Sequence, residues 1–179
     1  MSKAYELATV LGGGTLVTDT DLSTAIAGVG GGENTPYFRV DLRNNQSIPN
    51  ATMTSLQFDN AALDSASGWD GTTYKYTIPE TGKWFISHMG RVSGGGNNTI
   101  GAGDINCYLN SDQDLLAHVG LTPNTGSPMG IYSGTASGIY DLTQGDEIYC
   151  KVYVSAGSAR IDGRSDGSFT AMSGFKLAE

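Results

Sequence analysis

From Pro36 onwards, hydrophobic and polar side chains alternate along short segments of the chain. Three apolar side chains share one face in Tyr37–Leu42, and four do so in Glu147–Val154. This alternation has the period of a β-strand with one buried face. Further segments of this type are Ser55–Phe58, Thr73–Ile78, Lys83–Val92, Asp104–Asn110, Leu115–Val119, Met129–Leu142 (two short strands or one long bulged strand) and Ser168–Leu177. About nine or ten short strands separated by turns predict an all-β sandwich or jelly roll.

The first 35 residues follow a different pattern. Ala4–Leu11 is mildly amphipathic, and it is followed by glycine runs at Gly12–Gly14 and Gly28–Gly32. Helical segments this short are not stable alone, so we expect order only against a partner. We therefore predict an extended N-terminal arm with a glycine hinge over residues 1–35 and a head over residues 36–179. The candidate docking residues of the arm are Tyr5, Leu7, Val10 and Leu11.

Composition and charge exclude several classes of protein. Glycine supplies 26 of 179 residues and charged residues only 16%, which argues against a helical bundle or a coiled coil. The net charge of −8 provides no cationic surface for nucleic acid or an anionic membrane. The sequence contains no apolar run long enough to span a bilayer and no secretory signal pattern at its start. We expect no nucleic-acid or membrane partner, and synthesis in the cytoplasm unless a signal has been removed.

The sequence shows no pattern of catalytic or metal-binding residues. Its two histidines, His88 and His118, follow no metal-ligand spacing, and no Gly-x-Ser-x-Gly elbow marks a nucleophile. The glycine runs lack the lysine of a phosphate loop. Pairs of aspartates such as Asp112 and Asp114 are oxygen donors for calcium, but turn capping is the ordinary role of such residues. We expect a non-enzymatic protein without a cofactor.

Three segments of the head resemble a known family. They are Tyr76–His88 (YTIPETGKWFISH), Leu142–Tyr149 (LTQGDEIY) and Ser168–Leu177 (SFTAMSGFKL). In this order they resemble the globular heads of complement component one, subunit q, which belong with the tumour necrosis factor (TNF) jelly rolls. The resemblance implies a ten-stranded TNF-like jelly roll that assembles as a homotrimer. The spacing between Phe169 and Gly174 is longer than in the family, which leaves the register of the last strand open.

The resemblance also suggests roles for two groups of residues. Cys107 and Cys150 lie on the apolar sides of their strands, and the family's topology makes these strands neighbours. The two residues form either a cross-strand disulfide or a pair of small, reduced core residues. Tyr149 and Tyr153 lie on the polar side of their strand, where a trimer contact or an ordinary sheet surface would accommodate them. The residues expected to be shared between core and trimer contact are Phe38, Tyr149, Tyr153 and Phe175.

The arm begins with Met1–Ala8 (MSKAYELA) and continues with a linker rich in Gly, Thr and Asp, and in this it resembles the N-termini of virion structural proteins of tailed bacteriophages. Together with the jelly roll, this implies a homotrimeric capsid decoration, cement or head-fibre protein in the virion, attached through the arm to the major capsid protein or another virion protein. The alternative is a recognition module: a receptor-binding tail-fibre tip or a secreted complement-like ligand binder. In that case the loops Ser93–Gly103 and Thr122–Met129 would contact a glycan or a protein.

Overall fold

The computed structural model describes residues 34–94, 100–121 and 130–177, and these residues contain strands and no helix. The arm residues Tyr5, Leu7, Val10 and Leu11 lie outside the described residues, as does the loop 122–129. The strands are β1 (Tyr37–Asp41), β2 (Gln46–Ile48), β3 (Thr54–Ser55), β4 (Asn60–Asp64), β5 (Trp69–Asp70), β6 (Lys75–Thr77), β7 (Gly82–Gly94), β8 (Ala102–Leu109), β9 (Leu115–Leu121), β10 (Ile131–Leu142), β11 (Glu147–Ser155), β12 (Ala159–Ile161) and β13 (Ala171–Lys176).

The strands form two antiparallel sheets that pack face to face. In sheet A, the long strand β7 pairs on one side with β10 and on the other side with both β13 and β12. Strands β1 and β4 continue the sheet beyond β13, and β2 continues it beyond β12. Sheet B has the order β5-β6-β11-β8-β9, and β3 pairs with β11 beyond the end of β6. This is the sandwich that the alternating pattern predicted.

The core lies between the sheets and is formed by the inward residues of the alternating strands. Trp84 and Ile86 of β7, Ile105 of β8 and Ile148 of β11 belong to this core, and all four are fully buried. Full burial of side chains of this size stabilises the fold by roughly 1.5–3 kcal/mol each. The alternation therefore determines both the strands and which of their faces is buried.

Most of the predicted strands agree with the structure, but of the predicted strand Ser55–Phe58 only Ser55 lies in a strand, β3. The segment before Leu142 is one continuous strand, β10, which pairs with β7 through twelve residues without a register shift. The last strand, whose register the sequence left open, runs over Ala171–Lys176 between β7 and β1. The sequence pattern missed β2, β4, β5 and β12, which have two to five residues; β4, for example, is exposed or half-buried throughout.

Candidate functional site

An apolar row crosses the outer face of sheet A. The strand pairing aligns Ile139 of β10 with Phe85 of β7, Phe85 with Phe175 of β13, and Phe175 with Tyr37 of β1. Residues directly opposite each other in antiparallel strands lie on the same face, so these four side chains form one line. Ile139 is 62% exposed and Tyr37 39% exposed, while the two phenylalanines are half-buried, with ring centroids 5.2 Å apart. We call these four residues the apolar row.

A shallow hollow of about 350 Å³ lies beside the apolar row. Tyr37, Phe85 and Phe175 contribute to its wall, together with Leu63 of β4, which is 51% exposed. Large apolar side chains with this exposure are costly in water, and their clustering is typical of an interaction surface. Around the apolar row, sheet A thus presents a mainly apolar hollow.

Among the described strands, β10 forms one edge of this face. Its inward tyrosines attach it to the other sheet: the Tyr140 hydroxyl donates to the Leu116 carbonyl of β9 (2.7 Å) and the Tyr132 hydroxyl to the Gly120 carbonyl (3.4 Å). Its outward residues from Ile131 to Asp141 are all exposed and are mostly small and uncharged. A long edge strand of this kind is open to contact with another chain.

Buried charges lie farther along the same face. Asp162 forms ion pairs with Arg91 (3.1 Å to Nε) and Arg160 (2.7 Å to Nε), and Asp41 pairs with Arg43 (3.4 Å to Nε). Both carboxylates are nearly fully buried, so their charges require these arginines. In this part of sheet A, the charged groups are paired within the protomer. The apolar row, in contrast, keeps Ile139 and Tyr37 exposed.

The outer face of sheet B is also aromatic, but its polar atoms are bonded within the protomer. The rings of Tyr108 and Tyr149 stack with centroids 5.7 Å apart. The Tyr149 hydroxyl donates to Asp112 (2.8 Å), which also pairs with Lys151. Burial, and then the bond to Asp112, raise the pKa of Tyr149, while the bonds from Lys151 and Tyr149 lower the pKa of the Asp112 carboxyl.

The hydrogen bonds continue towards β9. Asn106 donates from Nδ2 to the Tyr108 hydroxyl (3.0 Å), and its Oδ1 lies 2.7 Å from Nδ1 of His118. His118 Nε2 in turn lies 3.6 Å from Asp104. Two sets of hydrogen bonds, joined by the ring contact of Tyr108 and Tyr149, thus give the central polar side chains of this face partners within the protomer.

The predicted trimer-contact residues do not lie on one surface. Phe38 is buried in the core and stacks on Tyr76 at 3.7 Å, and Phe175 lies on the outer face of sheet A. Tyr149 and Tyr153 lie on sheet B, on the other side of the sandwich. We expected Tyr149 to be exposed, but it is only 8% exposed because Tyr108, Asp112 and the neighbouring lysines cover it. The structure brings Phe175 together with Tyr37, Phe85 and Ile139, which the sequence analysis did not select.

Cys107 and Cys150 face each other across β8 and β11, as the resemblance implied. Both are buried free thiols. The contact with Cys107, and then burial, raise the pKa of the Cys150 thiol, whose sulfur lies 3.6 Å from that of Met172. In this structure the pair serves as small core residues.

The histidines show no catalytic arrangement. His88 is buried, its Nε2 lies 3.2 Å from the Ile105 carbonyl, and burial lowers its pKa. Among the residues that the structure describes, no three His, Cys, Asp or Glu side chains are placed to hold a metal ion. The same residues include no helix with the length and apolar character of a membrane span.

Comparison with solved structures identifies the fold. The globular domain of zebrafish complement 1qA protein superposes with a TM-score of 0.54 at 12% identity, covering 81% of this chain and 99% of that chain. Eiger TNF from S. frugiperda gives a TM-score of 0.60 at 12% identity, covering 80% and 92%. Murine APRIL gives 0.57 at 15% identity, covering 79% and 98%. No protein-family model and no curated protein sequence matches the chain. The described head is a TNF-like jelly-roll sandwich, which confirms the fold predicted from the sequence.

Proposed function

We propose that this chain is a non-enzymatic structural protein whose head associates with copies of itself through the outer face of sheet A. The observation that carries the proposal is the apolar row, Tyr37, Phe85, Ile139 and Phe175, beside the exposed edge of β10. Burying such a row against a second chain removes apolar surface from water, which is the main driving force of association. The resemblance to the complement and TNF heads favours a closed trimer over an open chain of contacts.

The mass of the full chain in solution tests this proposal. Sedimentation equilibrium is expected to give three times the 18.7 kDa of the chain. A species of one chain mass at about 100 μM, a concentration at which even weak specific contacts are occupied, would contradict self-association.

We further propose that residues 1–33 attach the head to a virus particle, by binding the major capsid protein or another virion protein. The support is the sequence of this segment, a short amphipathic stretch followed by glycine runs. Three such segments on one trimer would bind together, so that each weak contact is strengthened by high effective concentration. The virion is the proposed location.

Deletion of residues 1–33 tests the attachment. Residues 34 and 35 are retained because the next residue, Pro36, accepts a hydrogen bond from the Lys176 amide (2.9 Å). The shortened protein is expected to keep its fold and assembly but to be lost from particles in a co-sedimentation assay. If it still co-sediments as the full chain does, the segment is not the attachment site.

A recognition module is the second candidate function. It is favoured by the fold, which this chain shares with the complement and TNF heads. The position and copy number on a purified particle separate the two functions. Many copies over a head indicate decoration, whereas a few copies at a tail indicate adhesion, and secretion without a particle indicates a complement-like ligand binder.

A further inference from the structure

A separate groove of about 710 Å³ lies between the chain around β2 and β3 and the β5–β6 hairpin. Its volume is in the range of small-molecule binding sites, roughly 300–1,000 Å³. It shares no lining residue with the hollow beside the apolar row. Self-association through sheet A therefore uses different residues.

The polar groups of the groove are held in place by hydrogen bonds. Asp59 accepts from the Arg43 amide (2.6 Å) and from the amide and side chain of Asn44 (3.2 and 2.6 Å). Gln46 donates to the Ser55 carbonyl (2.8 Å) and accepts from the Gln57 amide (3.0 Å). Groups that are fixed before binding lose less entropy when a ligand arrives.

Several polar groups keep unused hydrogen-bonding capacity. Asn45 accepts from the Gly163 amide through Oδ1 (2.9 Å), which leaves its two N–H groups available. Within the described part of the chain, the side-chain amide of Gln57 and the hydroxyl of Tyr74 have no hydrogen-bond partner, and Gln57 is exposed. A side-chain amide both donates and accepts, as a sugar hydroxyl does.

Two aromatic side chains complete the groove. Trp69 is half-buried and fixed at its edge by Phe58, with ring centroids 6.1 Å apart, and Tyr74 is half-buried as well. Rigid aromatic rings of this kind combine an apolar face with a polar atom at the edge. A pyranose ring has a matching form, since its C–H groups form apolar faces and its hydroxyls surround the rim.

The charge of the groove indicates which class of sugar it can bind. The described side chains that line the groove include the carboxylate of Asp59 and no Lys, Arg or His. Sialylated, sulfated or uronic sugars would bring negative charge towards Asp59 without a compensating cation. We propose that this groove binds a neutral oligosaccharide, with Trp69 and Tyr74 against its ring faces and Asn45, Gln57 and Asp59 bonding its hydroxyls.

Tryptophan fluorescence of the full chain tests the proposal. The chain has two tryptophans, and Trp84 is fully buried, so a response to added sugar reports on Trp69. The probes are maltohexaose, cellohexaose, xylohexaose, mannohexaose and chitohexaose, each added up to about 10 mM, with saturation-transfer NMR as the second readout. At least one sugar is expected to give a saturable change and NMR transfer. Failure of all five in both measurements would overturn the proposal.

Matched variants locate the site. Gln57→Ala removes an exposed amide and keeps the backbone bond to Gln46, so it is expected to weaken binding at least about fivefold. Gln144→Ala is the control, because Gln144 is also exposed and bonds to Thr81 through its backbone. Trp69→Phe is expected to abolish the fluorescence response and to weaken binding by NMR. If both groove variants bind the sugar as tightly as Gln144→Ala does, the site lies elsewhere and the proposal is wrong.

Discussion

The two outer faces of the sandwich each carry a pair of aromatic rings in contact, tilted on sheet A and stacked on sheet B, yet the two pairs differ in their surroundings. On sheet A, Phe85 and Phe175 lie in line with the exposed Ile139. On sheet B, the rings of Tyr108 and Tyr149 stack, and their hydroxyls are hydrogen-bonded within the protomer. The Tyr108 hydroxyl accepts from Asn106, and the Tyr149 hydroxyl donates to Asp112. Aromatic content alone therefore does not mark an interface. The useful criterion is whether the aromatic residues of a face have their contacts within the protomer. On sheet A, the apolar row leaves large apolar side chains exposed.

Placing charge on sheet A should have the largest effect. The double substitution Leu63→Lys and Ile139→Lys changes two side chains that are more than half exposed, so the protomer should fold normally. Two ammonium groups in a contact would have to be desolvated, and we expect association to weaken at least about a hundredfold, about 2.7 kcal/mol. Sedimentation over a dilution series measures this.

A lysine outside both faces provides the control for that double variant. Met53 is 41% exposed and lies in the segment between β2 and β3. Met53→Lys should leave the association constant within a factor of about two of the parent. If Met53→Lys dissociates the protein as strongly as the double variant does, net charge and not sheet A controls assembly.

Removing hydrogen bonds from the outer face of sheet B should lower the stability of the fold and leave assembly unchanged, the reverse of the effect on sheet A. Asn106→Ala leaves the hydroxyl of the buried Tyr108, and Nδ1 of the exposed His118, without their partner. We expect the free energy of unfolding to fall by about 2 kcal/mol, while the mass in solution stays unchanged. Urea unfolding at one protein concentration measures the first, and Gln144→Ala in the exposed turn between β10 and β11 is a near-neutral control. Loss of assembly in Asn106→Ala would show that sheet B contributes to the contact.

The sequence predicted the features that depend on the alternation of apolar and polar residues within one strand. It did not predict the features that depend on how different strands pair. The inward residues of β7 and β11 follow directly from period two, whereas the neighbouring position of Cys107 and Cys150 was implied by the family resemblance. The apolar row was not predicted, because Ile139, Phe85 and Tyr37 occupy polar-side positions that look isolated along the chain. Only the register of four strands brings them into one line. The burial of Tyr149 within the protomer was not predicted, because Asp112, which covers its hydroxyl, comes from a distant turn.

Lowering the pH should lower the free energy of unfolding through His88, which connects the two sheets. His88 of β7 bonds the Ile105 carbonyl of β8, and burial lowers its pKa below the ordinary value of 6.5. Below pH 6.5 the histidine of the unfolded chain binds a proton that the folded protein does not bind. The free energy of unfolding therefore falls as pH falls, by at most about 1.4 kcal/mol per pH unit, until the pH reaches the pKa of His88 in the folded protein. Urea unfolding between pH 7.5 and pH 5 measures this. His88→Gln should show a shallower dependence, and an equal slope in both proteins would mean that other groups cause it.

Removing one oxygen from sheet B should give the smallest change. Tyr149→Phe keeps the ring stacked on Tyr108 and deletes the hydroxyl that bonds Asp112. Because Asp112 is half exposed and retains Lys151, water can replace the lost bond, and we expect a loss of about 1 kcal/mol in the free energy of unfolding with no change in mass. The same variant distinguishes the two faces most sharply. If Tyr149 were a trimer contact, as the sequence led us to expect, its substitution would shift the association constant; if it belongs to a face that its own protomer completes, only the unfolding curve will move.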